Sequence, residues 1–258
     1  MISINLHNRF IFITGGLGAI AESILRRLLE AGATLVITDL LPVDEAERRL
    51  EGYNLPSRNW RYLRCDVTDL TSIATAVGES FTLHPELDCF VGLAGGCALH
   101  PFASTSPTEY RRIFDYNYYG HVDVARSITQ HWTERSIAGH AVFTTSLVGS
   151  LPWVDLSAYA PAKAAIEMFA KCLALEFATQ GIRFNCIAPG HVATGSSLKV
   201  YDEDQGYRSL VDRAIPLKRL IRPESIADAF LWLISSLAQD VNGQIIKVDC
   251  GASIPKVG

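Results

Sequence analysis

The chain has 258 residues, 48% hydrophobic and 19% charged, enough to bury a large core in a single α/β domain. A formal net charge of −4 and a pI near 6.0 argue against nucleic acid or an anionic membrane as partners, and the paired arginines (Arg26-Arg27, Arg48-Arg49, Arg111-Arg112) are dispersed, as on solvated helix faces. Six cysteines with no C-x-x-C pair, most of them in apolar runs, predict buried reduced thiols; with no leader and no apolar run near the ~18 residues of a membrane span, a soluble cytoplasmic protein is expected.

Short apolar runs alternate with helical patterns along the chain: RFIFIT at 9–14, TLVIT at 34–38, WRYLRC at 60–65, LDCFVGL at 87–93, HAVFTTS at 140–146, IRFNCIA at 182–188 and QIIKV at 244–248. Seven such runs, spaced by helix-length segments, predict a doubly wound parallel sheet covered on both faces. No repeat, low-complexity tract or linker divides residues 1–258, so one domain is expected. The polar, Gly-rich stretch GHVATGSSLKVYDEDQGYRS at 190–209 reads as a mobile loop over a site, a substrate loop near 190–215.

The first strand runs into ITGGLGAIAE. A strand-to-helix turn of this fold uses glycine for a tight bend, for backbone approach to a pyrophosphate and for helix packing, and its helix N-terminus offers free N–H groups. Read as G-x-G-x-x-A, Gly16, Gly18 and Ala21 fit; read as T-G-x-x-x-G-x-G from Thr14, the later glycines become Ala19 and Ala21. Both registers aim one turn at one anion. Asp39 ends the second strand about 20 residues on, where a carboxylate accepts from an adenosine ribose and repels a 2′-phosphate. No arginine lies beside it in TDLLPVDE, so NAD is favoured over NADP. Asp66, in CDVTD, either contacts the adenine edge or caps the next helix.

Tyr159 and Lys163 stand four apart in LSAYAPAK and share a face if a helix opens there. A free tyrosine titrates near ~10, and a neighbouring ammonium with an oxidised nicotinamide would favour the phenolate.

These motifs resemble the classical short-chain dehydrogenase/reductase family, nearly end to end and as a divergent member. The likeness rests on Ser146, 13 residues before Tyr159; on Asn117 in FDYNYYG; on IRFNCIAPGHVAT; and on VNGQIIKVDCG. It implies that Ser146 holds the substrate oxygen, Tyr159 exchanges its proton, Lys163 binds the nicotinamide ribose, and Asn117 anchors a water through which the proton leaves. It also implies a cofactor site of Gly15, Leu17, Gly18, Ala19, Ile20, Asp39, Leu40, Asp66, Val67, Ala94 and Gly95, with Tyr159 and Lys163, and with Pro189, Gly190, Val192 and Thr194 beside the nicotinamide. The pocket would include Cys97, Leu99, His100, Leu147, Trp153, Val154, His191 and one or both of Tyr201 and Tyr207, of which Trp153 and His191, with Ser146 and Tyr159, are taken to bind substrate.

Three departures stand out: Ala19 and Ala21 for glycine, Gly92-Leu93-Ala94-Gly95 for N-N-A-G, and Asp249-Cys250-Gly251 for D-G-G. The implied activity is hydride transfer between NAD and a secondary alcohol or ketone, with an aromatic wall suited to a sugar or polyol. The alternatives are a 3-oxoacyl thioester reductase, an epimerase or dehydratase, and a noncatalytic NAD-binding sensor. No H-x-x-x-H spacing marks a metal site, so no catalytic metal is expected. In the family the long helices before and after the fifth strand pack against a second subunit, so a homo-oligomer, tetramer or dimer, is expected.

Overall fold

Each of the seven apolar runs forms a strand: β1 (Phe10–Thr14), β2 (Thr34–Asp39), β3 (Trp60–Arg64), β4 (Cys89–Gly92), β5 (His140–Thr144), β6 (Arg183–Pro189) and β7 (Ile245–Val248). The computed structural model describes residues 4–254. The strands form one parallel sheet in the order β3-β2-β1-β4-β5-β6-β7. The chain winds outward from β1 to β3, then returns to set β4 against the other side of β1. That reversal opens a crevice at the carboxyl ends of β1 and β4, where ligands of such sheets bind.

The helices are α1 (Ala21–Glu30), α2 (Val43–Gly52), α3 (Leu70–Leu83), α4 (Pro107–Phe114), α5 (Gly120–Arg135), α6 (Tyr159–Glu176), α7 (Gly195–Glu203), α8 (Gln205–Ala214) and α9 (Pro223–Ile234). Alternation within β1 assigns the two layers. Ile11 and Ile13 face one side, packed with Leu25 and Leu28 of α1 and Phe230 of α9. Phe12 faces the other, with Val77 of α3, Val124 of α5 and Ile166 of α6. Every residue of β4 and β5 is buried, as strands covered on both faces require. Each fully buried aliphatic side chain contributes about 1.5–3 kcal/mol, so the two layers hold the crevice rigidly between them.

Two sequence expectations change here. Residues 195–214 form helices rather than an irregular loop: Ser197 accepts from the Thr194 amide at 3.1 Å to open α7, and Asp204 accepts from the Gly206 and Tyr207 amides to open α8. Polar composition masked those helix starts. Cysteine burial also divides. Cys65, Cys89 and Cys186 are buried, but Cys97 lies exposed after β4, Cys172 is exposed on α6, and Cys250 is half-buried; all six are free. Among the described residues no helix is long and apolar enough to cross a membrane.

Candidate active site

The first turn is tied to its neighbours by backbone bonds: Gly16 N donates to the Thr38 carbonyl at 2.9 Å and Gly18 N to the Gly15 carbonyl at 3.0 Å. Gly15 has φ +66°, and a Cβ there would lie 2.6 Å from Ala94 N; a Cβ on Gly16 would collide with Ile37. Glycine is therefore required at 15 and 16 by the sheet itself. At the two departures the fold tolerates a methyl: Ala19 is exposed and Ala21 is fully buried in the first turn of α1. No side chain caps α1 at Ile20, and the amides of Ala19 and Ile20 find no acceptor among the described residues. By contrast, Asp69 caps α3 and Ser106 caps α4. Unpaired amides at a helix's positive end fit the phosphates of a dinucleotide.

Asp39 is fastened to this turn. One carboxylate oxygen accepts from Leu17 N at 3.0 Å, the other from Leu40 N at 2.7 Å. The sheet register also brings Arg64 opposite Asp39, and its Nε donates to the Leu40 carbonyl at 3.1 Å. An arginine thus lies beside the end of β2 after all, supplied by β3 rather than by the local sequence. Asp66 accepts from the Thr68 amide at 2.9 Å and its hydroxyl at 2.7 Å, and the helix cap falls to Asp69. Val67 is buried against Gly120.

The four residues expected to carry chemistry converge at the ends of β4 and β5. Ser146 follows β5, its hydroxyl accepting from Val148 N at 3.4 Å. Tyr159 opens α6, in a small apolar cluster with Leu147 and Trp153. Lys163, one turn later, is 3% exposed; its Nζ lies 5.6 Å from the Tyr159 ring centroid and donates to the Thr144 carbonyl at 3.1 Å. Asn117, fully buried in a π-helical turn (Asp115–Tyr119), donates to the Gly96 carbonyl at 3.0 Å and accepts from its amide at 3.2 Å. Gly95, at φ +149°, passes so close that a Cβ would lie 2.7 Å from Asn117 Oδ1 and 3.3 Å from Lys163 Nζ.

Burial governs the titration of both reactive groups. Desolvation lowers Lys163 to about 8 and pushes the Tyr159 phenol above its ordinary value, a rise that the Ser146 hydroxyl opposes. In the protein alone the phenol therefore moves opposite to the lowering the sequence suggested.

A family model described as "Enoyl-(Acyl carrier protein) reductase" matches residues 16–253. The chain belongs to the short-chain dehydrogenase/reductase family. It is an oxidoreductase, and its relatives are dehydrogenases of alcohol groups. It is 29% identical to 2,3-dihydro-2,3-dihydroxybenzoate dehydrogenase of Bacillus subtilis (strain 168), covering 96% of this chain and 97% of that one. It is 30% identical to galactitol 2-dehydrogenase (L-tagatose-forming) of Cereibacter sphaeroides, covering 94% of each. Among solved structures it matches 3-oxoacyl-[acyl-carrier protein] reductase from Brucella melitensis at 30% identity and a TM-score of 0.88, covering 98% and 93%.

Around the reactive group of this short-chain dehydrogenase/reductase, β6 ends at Pro189 and leads into Gly190, where a Cβ would lie 2.9 Å from Asp249 Cα. Val192 bridges to Ile221, and Thr194 begins α7. The His191 ring lies 5.4 Å from that of Trp153, and its Nδ1 pairs with the Tyr207 hydroxyl at 3.4 Å. His100 sits 3.7 Å from Glu109, while Leu99 and Val154 are exposed. Tyr201 packs with Tyr207 and Val211 in a separate cluster under α7 and α8. Sequence reading missed Arg64 and the Thr144 carbonyl, neither of which leaves a local trace.

Proposed function

We propose that the protein is an NAD-dependent dehydrogenase interconverting a secondary alcohol and its ketone on a sugar or polyol. The convergence of Ser146, Tyr159 and Lys163 below the crevice carries this reading. When bound, the nicotinamide supplies or takes the hydride. The amides of Ala19 and Ile20, the Asp39 carboxylate, the Val67 and Ala94–Gly95 backbone, Lys163 and the Pro189–Thr194 segment would hold the dinucleotide.

Ser146 holds the substrate oxygen, and Tyr159 moves a proton to or from it. A buried phenol resists ionisation, so proton transfer needs positive charge at that ring, and the Lys163 ammonium lies over its face. Asn117 fixes Gly96 with both ends of its amide, leaving a lone pair on Oδ1 for the water through which the proton leaves. Trp153 and His191 form one wall of the pocket, and Tyr207 of α8 meets the His191 ring edge-on. The likeness to a galactitol dehydrogenase supports a polyhydroxylated substrate.

The decisive experiment is titration of the protein with NADH and with NADPH, read by fluorescence from its four tryptophans. NADH is expected to bind at least about tenfold more tightly, because the Asp39 carboxylate repels a 2′-phosphate, and Asp39→Ser is expected to erase most of that preference. Arg64 and the likeness to a 3-oxoacyl reductase favour a second reading, an NADP-linked reductase of acyl thioester ketones. Tighter NADPH binding with turnover of such thioesters, and none of polyols with NAD⁺, would replace the first reading with the second.

We also propose that the protein acts in the cytoplasm, in keeping with its free thiols, as a homo-oligomer, dimer or tetramer. Between α5 and α6 lies an apolar groove of about 500 Å³ lined by Val122, Ala125, Phe169 and Leu173, and α6 exposes Met168 and Leu175, the latter 82% accessible. A second copy crossing the same two helices would cover both features. Sedimentation is expected to show a dimer or larger at micromolar concentration, with Leu175→Glu shifting it toward monomer; a monomeric wild type would remove this proposal.

A further inference from the structure

The side chains of His191 and Tyr207 pair with each other, Nδ1 with hydroxyl at 3.4 Å, and make no other hydrogen bond among the described residues. The backbone at His191 is fixed: its carbonyl accepts from Ile221 N at 2.8 Å, and Gly190 before it donates to the Val248 carbonyl at 3.0 Å. The imidazole stands between two other rings, Trp153 at a centroid separation of 5.4 Å and Tyr207 edge-on at 6.5 Å. Trp153 packs in turn with Tyr159, whereas Tyr207 packs with Val211, Ile215 and Leu220. The pair is therefore held from both sides, one indole away from the reacting phenol.

Burial alone acts on the titration of both groups, lowering His191 and raising Tyr207 from their ordinary values, with no charged side chain bearing on either. At neutral pH they are an uncharged imidazole and an uncharged phenol. The imidazole has one N–H and one acceptor nitrogen; the phenol has one O–H and also accepts. If the phenol donates to Nδ1, the ring proton is on Nε2, and a ligand is left an N–H donor at one end and a phenol lone pair at the other. If Nδ1 donates to the phenol, a ligand is left an acceptor at Nε2 and the free O–H. In both tautomers the pair offers one donor and one acceptor. That is the complement of hydroxyl groups, and not of a carboxylate, which only accepts, or an ammonium, which only donates.

We propose that His191 and Tyr207 form a subsite for a second, unreacting hydroxyl of the substrate, and that Tyr207 is a specificity-determining residue because it completes that subsite. The substrate is then an uncharged polyol or sugar whose further hydroxyl lies across the width of Trp153 from the carbinol at Tyr159. This rests on the reading of the protein as a dehydrogenase of secondary alcohols. An apolar wall at this point would accept a deoxy analogue equally well; a desolvated donor and acceptor reject it, because both are left unpaired.

The test compares a hexitol with its series of mono-deoxy analogues, as substrates with NAD⁺ and as ligands of the NADH complex. The wild type is expected to favour the hexitol over at least one analogue by about tenfold in kcat/KM. Tyr207→Phe, which keeps the ring and its packing, is expected to raise KM for the hexitol about tenfold, with kcat and NADH affinity within about twofold, and to leave KM for that analogue unchanged, so that the preference disappears. His191→Leu is expected to abolish the same preference, and the double variant to lose no more of it than either single one. A merely structural role for Tyr207 would affect all of these substrates alike, so equal losses on the hexitol and every analogue would overturn the proposal, as would a hexitol preference that Tyr207→Phe leaves intact. NMR of the His191 ring nitrogens gives a readout without turnover: the hexitol is expected to move these signals in the wild-type NADH complex and not in Tyr207→Phe, and signals that stay in place in the wild type would overturn the proposal. Signals that move in a protein that oxidises no polyol would uphold the subsite and count against the proposed function; polyol turnover with the preference intact in Tyr207→Phe would do the reverse.

Discussion

Replacing Tyr159 with phenylalanine is expected to lower turnover about a thousandfold while NADH affinity changes by less than about twofold. The ring sits in the small cluster with Leu147, Val148 and Trp153, and phenylalanine preserves that packing. Only the oxygen is lost, and with it the group placed to exchange a proton with a substrate held at Ser146. A positioned acid or base contributes about 10²–10⁴-fold, so the expected loss corresponds to about 4 kcal/mol in the barrier. An equal fall in kcat and in kcat/KM would mean that the oxygen acts in the transition state alone; a rise in KM with kcat intact would mean that it only binds. Turnover within tenfold of wild type would remove Tyr159 from the proton path and pass the role to another group near the crevice.

How far this site was legible in the sequence depends on what each feature needs for its definition. The strands were legible because β1, β4 and β5 are buried on both faces and read as unbroken apolar runs, FIFIT, CFVG and HAVFT. The Gly15 turn was legible because one backbone conformation demands glycine, and Asp39 because its distance from that turn is fixed by one helix and one strand. Features that depend on strand register were hidden. Arg64 reaches the end of β2 only because Asp39 and Arg64 are partners in the β2–β3 ladder. The same holds for the pairing of His191 with Tyr207, whose two halves lie on different elements and meet only because α8 packs back beside the end of β6. The helices at 195–214 were misread for a different reason: their starts rest on hydroxyl and carboxylate caps at Ser197 and Asp204, residue types equally at home in loops.

Between pH 7.5 and 4.5 the folded state is expected to lose about 3 kcal/mol of stability through His121, with a further loss through His140. His121 and His140 are 2% and 1% exposed, and burial, as the largest cause, depresses both below the ordinary value, His121 to about 3. His140 is further locked neutral by its neighbours. Arg183 Nη2 lies 3.1 Å from its Nδ1 and Asn185 Nδ2 lies 3.0 Å from its Nε2, so two donor groups face the ring where a protonated imidazole would need acceptors. The sign follows from comparing the two states. In the unfolded chain each ring takes up a proton near ~6.5, whereas in the folded protein burial moves that uptake to lower pH, so stability is fully present above ~6.5 and is lost as pH falls below it. A ring that stays neutral costs about 1.4 kcal/mol per pH unit, hence about 3 kcal/mol for His121 over the two units from 6.5 to 4.5, and His140 acts in the same direction. Asp88 and Glu167, raised by burial, oppose this at the acid end, while Asp249, held down by the Ser253 and Gly251 hydrogen bonds, adds to it. Urea midpoints measured across this range are expected to fall steeply below pH 6.5, and His140→Gln, whatever its stability at pH 7.5, to make that slope shallower. A slope unchanged in that variant would mean that His140 is protonated in the folded protein, and the donors around it would then have to turn away to admit the charge.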